Sequence, residues 1–230
     1  MKQLFAPDSK LMIFLGIVKD LMLLGLIFIV TALPVVTFGA AMTALQYTAL
    51  KMARDEESGV FRDYFRSFRL NLRQSTAIWT VYLVFLTLTG WSIFVYFANP
   101  GEFPVWLLFV LIGVACLLLM FLICTFAIQS KFDNPIRKTI RYGLIMAFSN
   151  LFRSILMLIL YLVPAFLGWY FYEILPLTLI FGFSLPAYVS ARWIYGKRFL
   201  EMENKILAKT GTAEPGADQE DRAEQGAEQS

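Results

Sequence analysis

The sequence predicts an all-α, polytopic helical membrane protein, and three observations predict it. Of the 230 residues, 58% are apolar and only 16% charged, where soluble domains carry about 45–50% and about 25%. Five stretches are long and apolar enough to cross a hydrocarbon core of ~30 Å, which takes about 20 helical residues. Basic residues gather in alternate loops, the pattern of cytoplasmic segments. Histidine is absent, which removes Ser/His/Asp and Cys/His catalytic arrangements and the usual imidazole metal sites.

The first span, 11–33, is too long for the apolar part of a cleaved signal peptide, carries Lys19 and Asp20, and lacks a clear cleavage site. Pro34 ends it, because proline restricts the residue before it and offers no donor. Residues 35–50 are uncharged but short, and Gly39, Ala40, Ala41, Ala44 and Ala49 dilute their hydrophobicity. They are expected to form a short or tilted return helix with Thr37 as its N-cap. The other four spans are 75–97, 105–130, 154–172 and 174–195. The expected architecture is about six membrane helices, five strong plus the short return helix.

Lys51, Arg54, Arg62, Arg66, Arg69 and Arg73 precede the second strong span. Lys131, Arg137, Lys138, Arg141 and Arg153 form a second basic stretch, and Lys197, Arg198 and Lys205 follow the last span. Residues 99–104 carry one Glu and no cation. By the positive-inside rule the basic segments are cytoplasmic. Six spans then place both termini in the cytoplasm, with Lys2 and Lys10 in agreement; five would strand those lysines outside. Trp79, Trp106, Trp169, Trp193 and Tyr195 fall near proposed helix ends, as interfacial belts do, whereas Trp91 falls deeper within its span. The chain divides into a helical membrane domain, 1–207, and a tail, 208–230, rich in Ala, Gly, Glu and Gln. The tail is expected to be a disordered acidic cytoplasmic segment.

Phe61, Tyr64, Phe65, Phe68 and Leu72 recur at three- and four-residue spacing, and Arg62, Arg66, Arg69 and Arg73 form a second stripe. Such a helix is expected to be amphipathic and to lie in the cytoplasmic headgroup region, each cation gaining ~1 kcal/mol from anionic lipid. Its partner is the lipid bilayer or a soluble protein, and the sequence does not separate the two. The second basic stretch resembles the first. At an offset of 79 residues, Arg62 falls on Arg141, Asn71 on Asn150, Leu72 on Leu151, Ser75 on Ser154, and Tyr82-Leu83-Val84 on Tyr161-Leu162-Val163. Two parallel copies related by an axis along the membrane normal are a transporter trait, although a duplicated scaffold looks the same.

Little else carries chemistry. Cys116 and Cys124 lie two helical turns apart, too far for a disulfide, and read as packing residues. Lys19 and Asp20 are expected to snorkel from near a helix end; a membrane-buried Asp invites ion coupling instead. No phosphate-cradling loop or metal-ligand cluster stands out. No enzymatic activity, cofactor, metal or nucleic-acid partner is expected. In residues 34–47, Gly39 and the alanines favour close helix packing, and a helix N-terminus inside the bilayer can also hold an anion. Pro34, Thr37, Gly39, Thr43 and Gln46 are therefore a candidate packing motif or polar path, with Thr48 nearby. Pro164 and Pro186 interrupt later spans, where proline usually bends a helix.

Leu33-Pro34-Val35-Val36-Thr37-x-Gly39-x-Ala41-x-x-Ala44-Leu45-x-Tyr47, then Lys51, Arg54, Glu56-Glu57 and Phe65-x-x-Phe68-x-x-Asn71-x-x-Gln74, resembles the YesL-like family of bacterial membrane proteins, itself a domain of unknown function. The match is densest over residues 30–76, and Ala40 stands where the family pattern has proline. The resemblance implies a multi-pass protein of a Gram-positive-type bacterial cytoplasmic membrane. It also implies an accessory or assembly role in carbohydrate uptake, beside the permease or ATPase subunits of a sugar ABC transporter. It brings no catalytic or binding residues. The alternatives are a small autonomous transporter or channel, motivated by the repeat, the Pro34 break and the Thr43/Gln46/Thr48 patch, and a non-transporting membrane scaffold.

Overall fold

The computed structural model describes residues 10–56, 58–132, 135–149 and 151–195. The expectations for Lys2, Glu57, Asn150, Lys197, Arg198, Lys205 and the tail 208–230 fall outside the described residues. Among those described there is no strand. The helices are α1 (Lys10–Ala32), α2 (Phe38–Ala53), α3 (Val60–Ala98), α4 (Val105–Gln129), α5 (Ile136–Ser149), α6 (Leu151–Tyr170) and α7 (Leu175–Val189). A π-helical turn, Ser190–Tyr195, continues α7. Five helical segments are long and apolar enough to cross a membrane: Leu11–Ala32, Val60–Ala98, Val105–Gln129, Leu151–Tyr170 and Leu175–Ile194. The chain is a multi-pass membrane protein, all-helical as expected.

Pro34 stops α1 as predicted, in an extended conformation (φ −73°, ψ 116°), and a single 3₁₀ turn leads into α2. Thr37 takes the N-cap position without its side chain capping the helix. Its hydroxyl instead donates to the carbonyls of Thr31 at 2.8 Å and Pro34 at 2.9 Å, tying the turn. The return helix α2 has 16 residues, about 24 Å at the α-helical rise and so shorter than the hydrocarbon core. Twelve of its residues are buried, because α1, α3, α4 and α7 all pack on it. Small side chains permit this enclosure. A Cβ on Gly39 would lie 2.6 Å from both the Ser75 carbonyl oxygen and the Trp79 Cβ, so the backbones of α2 and α3 meet there directly.

Three expectations are corrected. The sequence predicts a surface helix at 61–73 separate from the span 75–97, whereas α3 is one unbroken helix of 39 residues, about 58 Å long. Charge marks where lipid ends, not where a helix ends, and the strongest helix breakers, Gly and Pro, are absent between residues 60 and 89. Trp79 consequently sits halfway along α3, 8% exposed, its indole donating to the Val35 carbonyl at 2.7 Å. It is a core residue, while Trp106, Trp169 and Trp193 remain exposed. Lys19 and Asp20 occupy the middle of α1, not its end, and form an ion pair at 3.3 Å. Pairing lowers the cost of charge at that depth. Helices α6 and α7 run through Pro164 and Pro186 without ending.

Candidate functional site

The first third of α3 has two faces. Val60, Asp63, Tyr64 and Ser67, at helical spacing, are buried; Arg62, Arg66, Arg69 and Arg73 are all exposed on the other side. The predicted aromatic stripe divides between them. Tyr64 is fully buried, its hydroxyl bonded to that of Thr31 at 2.5 Å. Phe65 and Phe68 are half-buried against the core, and Phe61 is 60% exposed with its ring 4.6 Å from that of Phe65.

Asp63 holds this segment in place, a role the stripe pattern hid. Its carboxylate is fully buried and accepts from Lys51 Nζ at 3.1 Å, Ser58 Oγ at 2.8 Å and the Ser58 amide at 3.0 Å. It lies in the first turn of α3, where a negative charge meets the positive end of the helix dipole. The turn before it needs Gly59, whose φ of +125° suits no L side chain. Burial, the largest influence on Lys51, disfavours its ammonium. The bond to Asp63 and the attraction of Tyr47 and Asp63 together outweigh it and raise the pKa above 10.5. A folded-state pKa above the unfolded one gives stability that is full at neutral pH and lost only as pH climbs through the raised value.

The α2 patch is gathered at the centre of the bundle. Thr43, Gln46 and Thr48 have no exposure. The Thr43 hydroxyl meets the Ser75 hydroxyl at 2.9 Å, Gln46 donates to the Tyr161 hydroxyl at 2.7 Å, and Thr48 donates to the Ala44 carbonyl at 2.9 Å. Pro34 stays outside this group at the exposed turn.

The repeat reappears in these bonds. Tyr82 and Tyr161 match at the 79-residue offset; Tyr82 bonds to Thr125 at 3.0 Å and Tyr161 to Gln46 at 2.7 Å. Thr125 and Gln46 are themselves 79 residues apart. Each tyrosine thus reaches the equivalent position of the other copy, the reciprocity a two-fold relation requires. The matched serines each bond within their own copy: Ser75 of α3 to Thr43 of α2 at 2.9 Å, and Ser154 of α6 to Cys124 of α4 at 3.7 Å. The short α2 therefore corresponds to the buried inner part of α4, whose residues from Leu122 to Gln129 are all buried.

Residues 21–93 match the family described as Protein of unknown function, DUF624. No curated protein and no solved structure matches the chain. The DUF624 match runs from the middle of α1 into the outer part of α3 and contains the Pro34 turn, all of α2, Asp63 and the four arginines. Thr125 and Tyr161 lie beyond it, so the second copy of the repeat completes contacts that the DUF624 segment leaves open.

Proposed function

We propose that this protein is a non-enzymatic accessory or assembly component of a carbohydrate (ABC-type) uptake system in a bacterial cytoplasmic membrane. The carbohydrate class follows from the YesL-like resemblance. The observation that carries the accessory role is the row Arg62, Arg66 and Arg69, exposed on a part of α3 that is locked by Asp63 and Tyr64. A rigid, pre-ordered row of forked cations avoids the entropy cost of ordering side-chain-bearing segments on binding and suits carboxylates on a permease or ATPase subunit. The bonded state of Thr43, Gln46 and Thr48 favours helix packing over a solute path.

Replacing Arg62, Arg66 and Arg69 together by Glu is expected to abolish recovery of permease and ATPase with the tagged protein, because like-charge contacts cost several kcal/mol. Membrane insertion and melting should be unchanged. Undiminished recovery by this variant sinks the accessory role.

The row must face the cytoplasm for this role. In a background lacking Cys116 and Cys124, single cysteines at Glu56 and Glu102, both exposed, are expected to react with impermeant reagents from inside and outside respectively. The reverse labelling overturns the orientation.

A further inference from the structure

We propose that the cleft between α3 and the start of α5 binds a phosphate group, carried either by the headgroup of an acidic phospholipid or by a soluble phosphate. The cleft holds about 740 Å³ and is lined by Arg73, Gln74, Pro135, Ile136, Arg137 and Lys138. Half of these described lining residues are cationic and none of them is acidic. Among the described residues none of the three cations is ion-paired, and all three are exposed. Three like charges around one recess repel one another, and an anion between them offsets this by adding an attractive term with each. Two guanidinium forks and an ammonium are the donors that phosphate oxygens accept best.

Packing builds the cleft. A Cβ on Gly143 would lie 2.9 Å from the Thr125 Cα, so α5 rests directly on α4. Thr139, Gly143 and Ala147, one helical turn apart, form its buried face. Gln74 of α3 donates to the Thr139 hydroxyl at 3.5 Å, and that hydroxyl donates to the Pro135 carbonyl at 3.4 Å. These bonds bring Arg137 and Lys138 beside Arg73. The amides of Lys138 and Thr139 both turn back to the Pro135 carbonyl, at 2.8 and 3.0 Å, closing the first turn of α5.

Sequence sets the depth. The apolar stretch of α3 begins just after Gln74, that of α4 ends at Gln129, and α6 begins at Leu151. Gln74 stands where the apolar run of α3 starts, and Pro135, Ile136, Arg137 and Lys138 fall in the chain between the apolar runs of α4 and α6, which is the level of headgroup phosphates. Arg62, Arg66 and Arg69 do not line it, so a phosphate here is independent of whether they meet a protein partner.

The test uses the full chain in a neutral detergent. Native mass spectrometry with equimolar phosphatidylglycerol and phosphatidylcholine reads lipid retention, and thermal melting with added inorganic phosphate reads the soluble source. A preference for phosphatidylglycerol is expected. Arg137→Gln should weaken it about fivefold, and Arg73→Gln/Arg137→Gln/Lys138→Gln on the order of a hundredfold. Arg62→Gln/Arg66→Gln/Arg69→Gln, an equal loss of charge outside the cleft, should weaken it far less than the cleft triple variant and leave any stabilisation by inorganic phosphate unchanged. Stabilisation by inorganic phosphate, lost in the same cleft variants and without lipid preference, supports the site and assigns it to a soluble phosphate. The single Arg137 substitution on an exposed side chain keeps the test open should the triple variant fail to fold. A lipid preference insensitive to the cleft variants, or no response to either phosphate source, overturns the proposal.

Discussion

Gly25→Ala is expected to destabilise the protein by about 2–3 kcal/mol, the upper part of the range for forcing one extra carbon into a packed interior. A Cβ at Gly25 would fall on the carbonyl oxygen of Ile180, 2.8 Å from its carbon and 3.3 Å from the Ser184 hydroxyl. The obstacle is backbone of α7, which cannot swing aside as a flexible side chain does, so α1 has to back away. That retreat loosens Leu24 and Phe28, buried beside it in the core shared by α1, α2, α3 and α7. The helix itself gains: alanine is better than glycine in a helix interior by roughly 0.5–1 kcal/mol. Gly16 isolates that term, since a Cβ there meets nothing within 4 Å. Gly16→Ala should therefore melt at or above the wild type, and Gly25→Ala well below it, with cysteine cross-linking between α1 and α7 reduced only in the latter. Equal melting of the two alanine variants refutes the close approach of α1 and α7.

The contrast between those two glycines shows what a single sequence reveals. Both stand in the same apolar run, and no periodicity tells them apart; the difference lies in α7, some 155 residues away in the chain. Spans were legible because lipid demands a composition: 105–130 against Val105–Gln129 and 154–172 against Leu151–Tyr170 agree within three residues. The surroundings of a span were less so. Hydropathy does not distinguish lipid from protein interior, so residues 35–50 look like a weak span when they form the enclosed centre of the bundle. Their small residues carried that signal. Trp79 misled for a related reason, because an aromatic belt is counted from the start of a span and α3 begins 15 residues before the span does. The four arginines lie exposed on α3, while the charge of Asp63, set among those cations, gives no sign that its carboxylate is buried. The tyrosines were visible as repeat matches, whereas their cross-copy partners needed coordinates.

Asp63→Ala is expected to cost about 3–4 kcal/mol, near the lower end for breaking a buried ion pair by removing one partner. The estimate sits low because Lys51, with its side chain 23% exposed, still reaches water and recovers part of its hydration. Part of the loss falls on the turn, because the amide and hydroxyl of exposed Ser58, both donors to this carboxylate, must turn to water instead. Asp63→Asn keeps an acceptor for one of them and should cost roughly half as much. A double substitution separates these contributions. Lys51→Met with Asp63→Leu removes both charges and places apolar groups against Val60 and Tyr64, so it should be less harmful than Asp63→Ala alone; the non-additivity measures the pair. The consequence for function is specific. Under the proposed accessory role, Asp63→Ala with its four arginines intact should still capture less partner than wild type, because Ser58 and Lys51 no longer fix the start of α3 and the row must be ordered on binding. Wild-type melting by Asp63→Ala refutes the structural role. Reduced stability with full partner capture leaves Asp63 as a fold residue alone and places the docking determinant outside the first turns of α3.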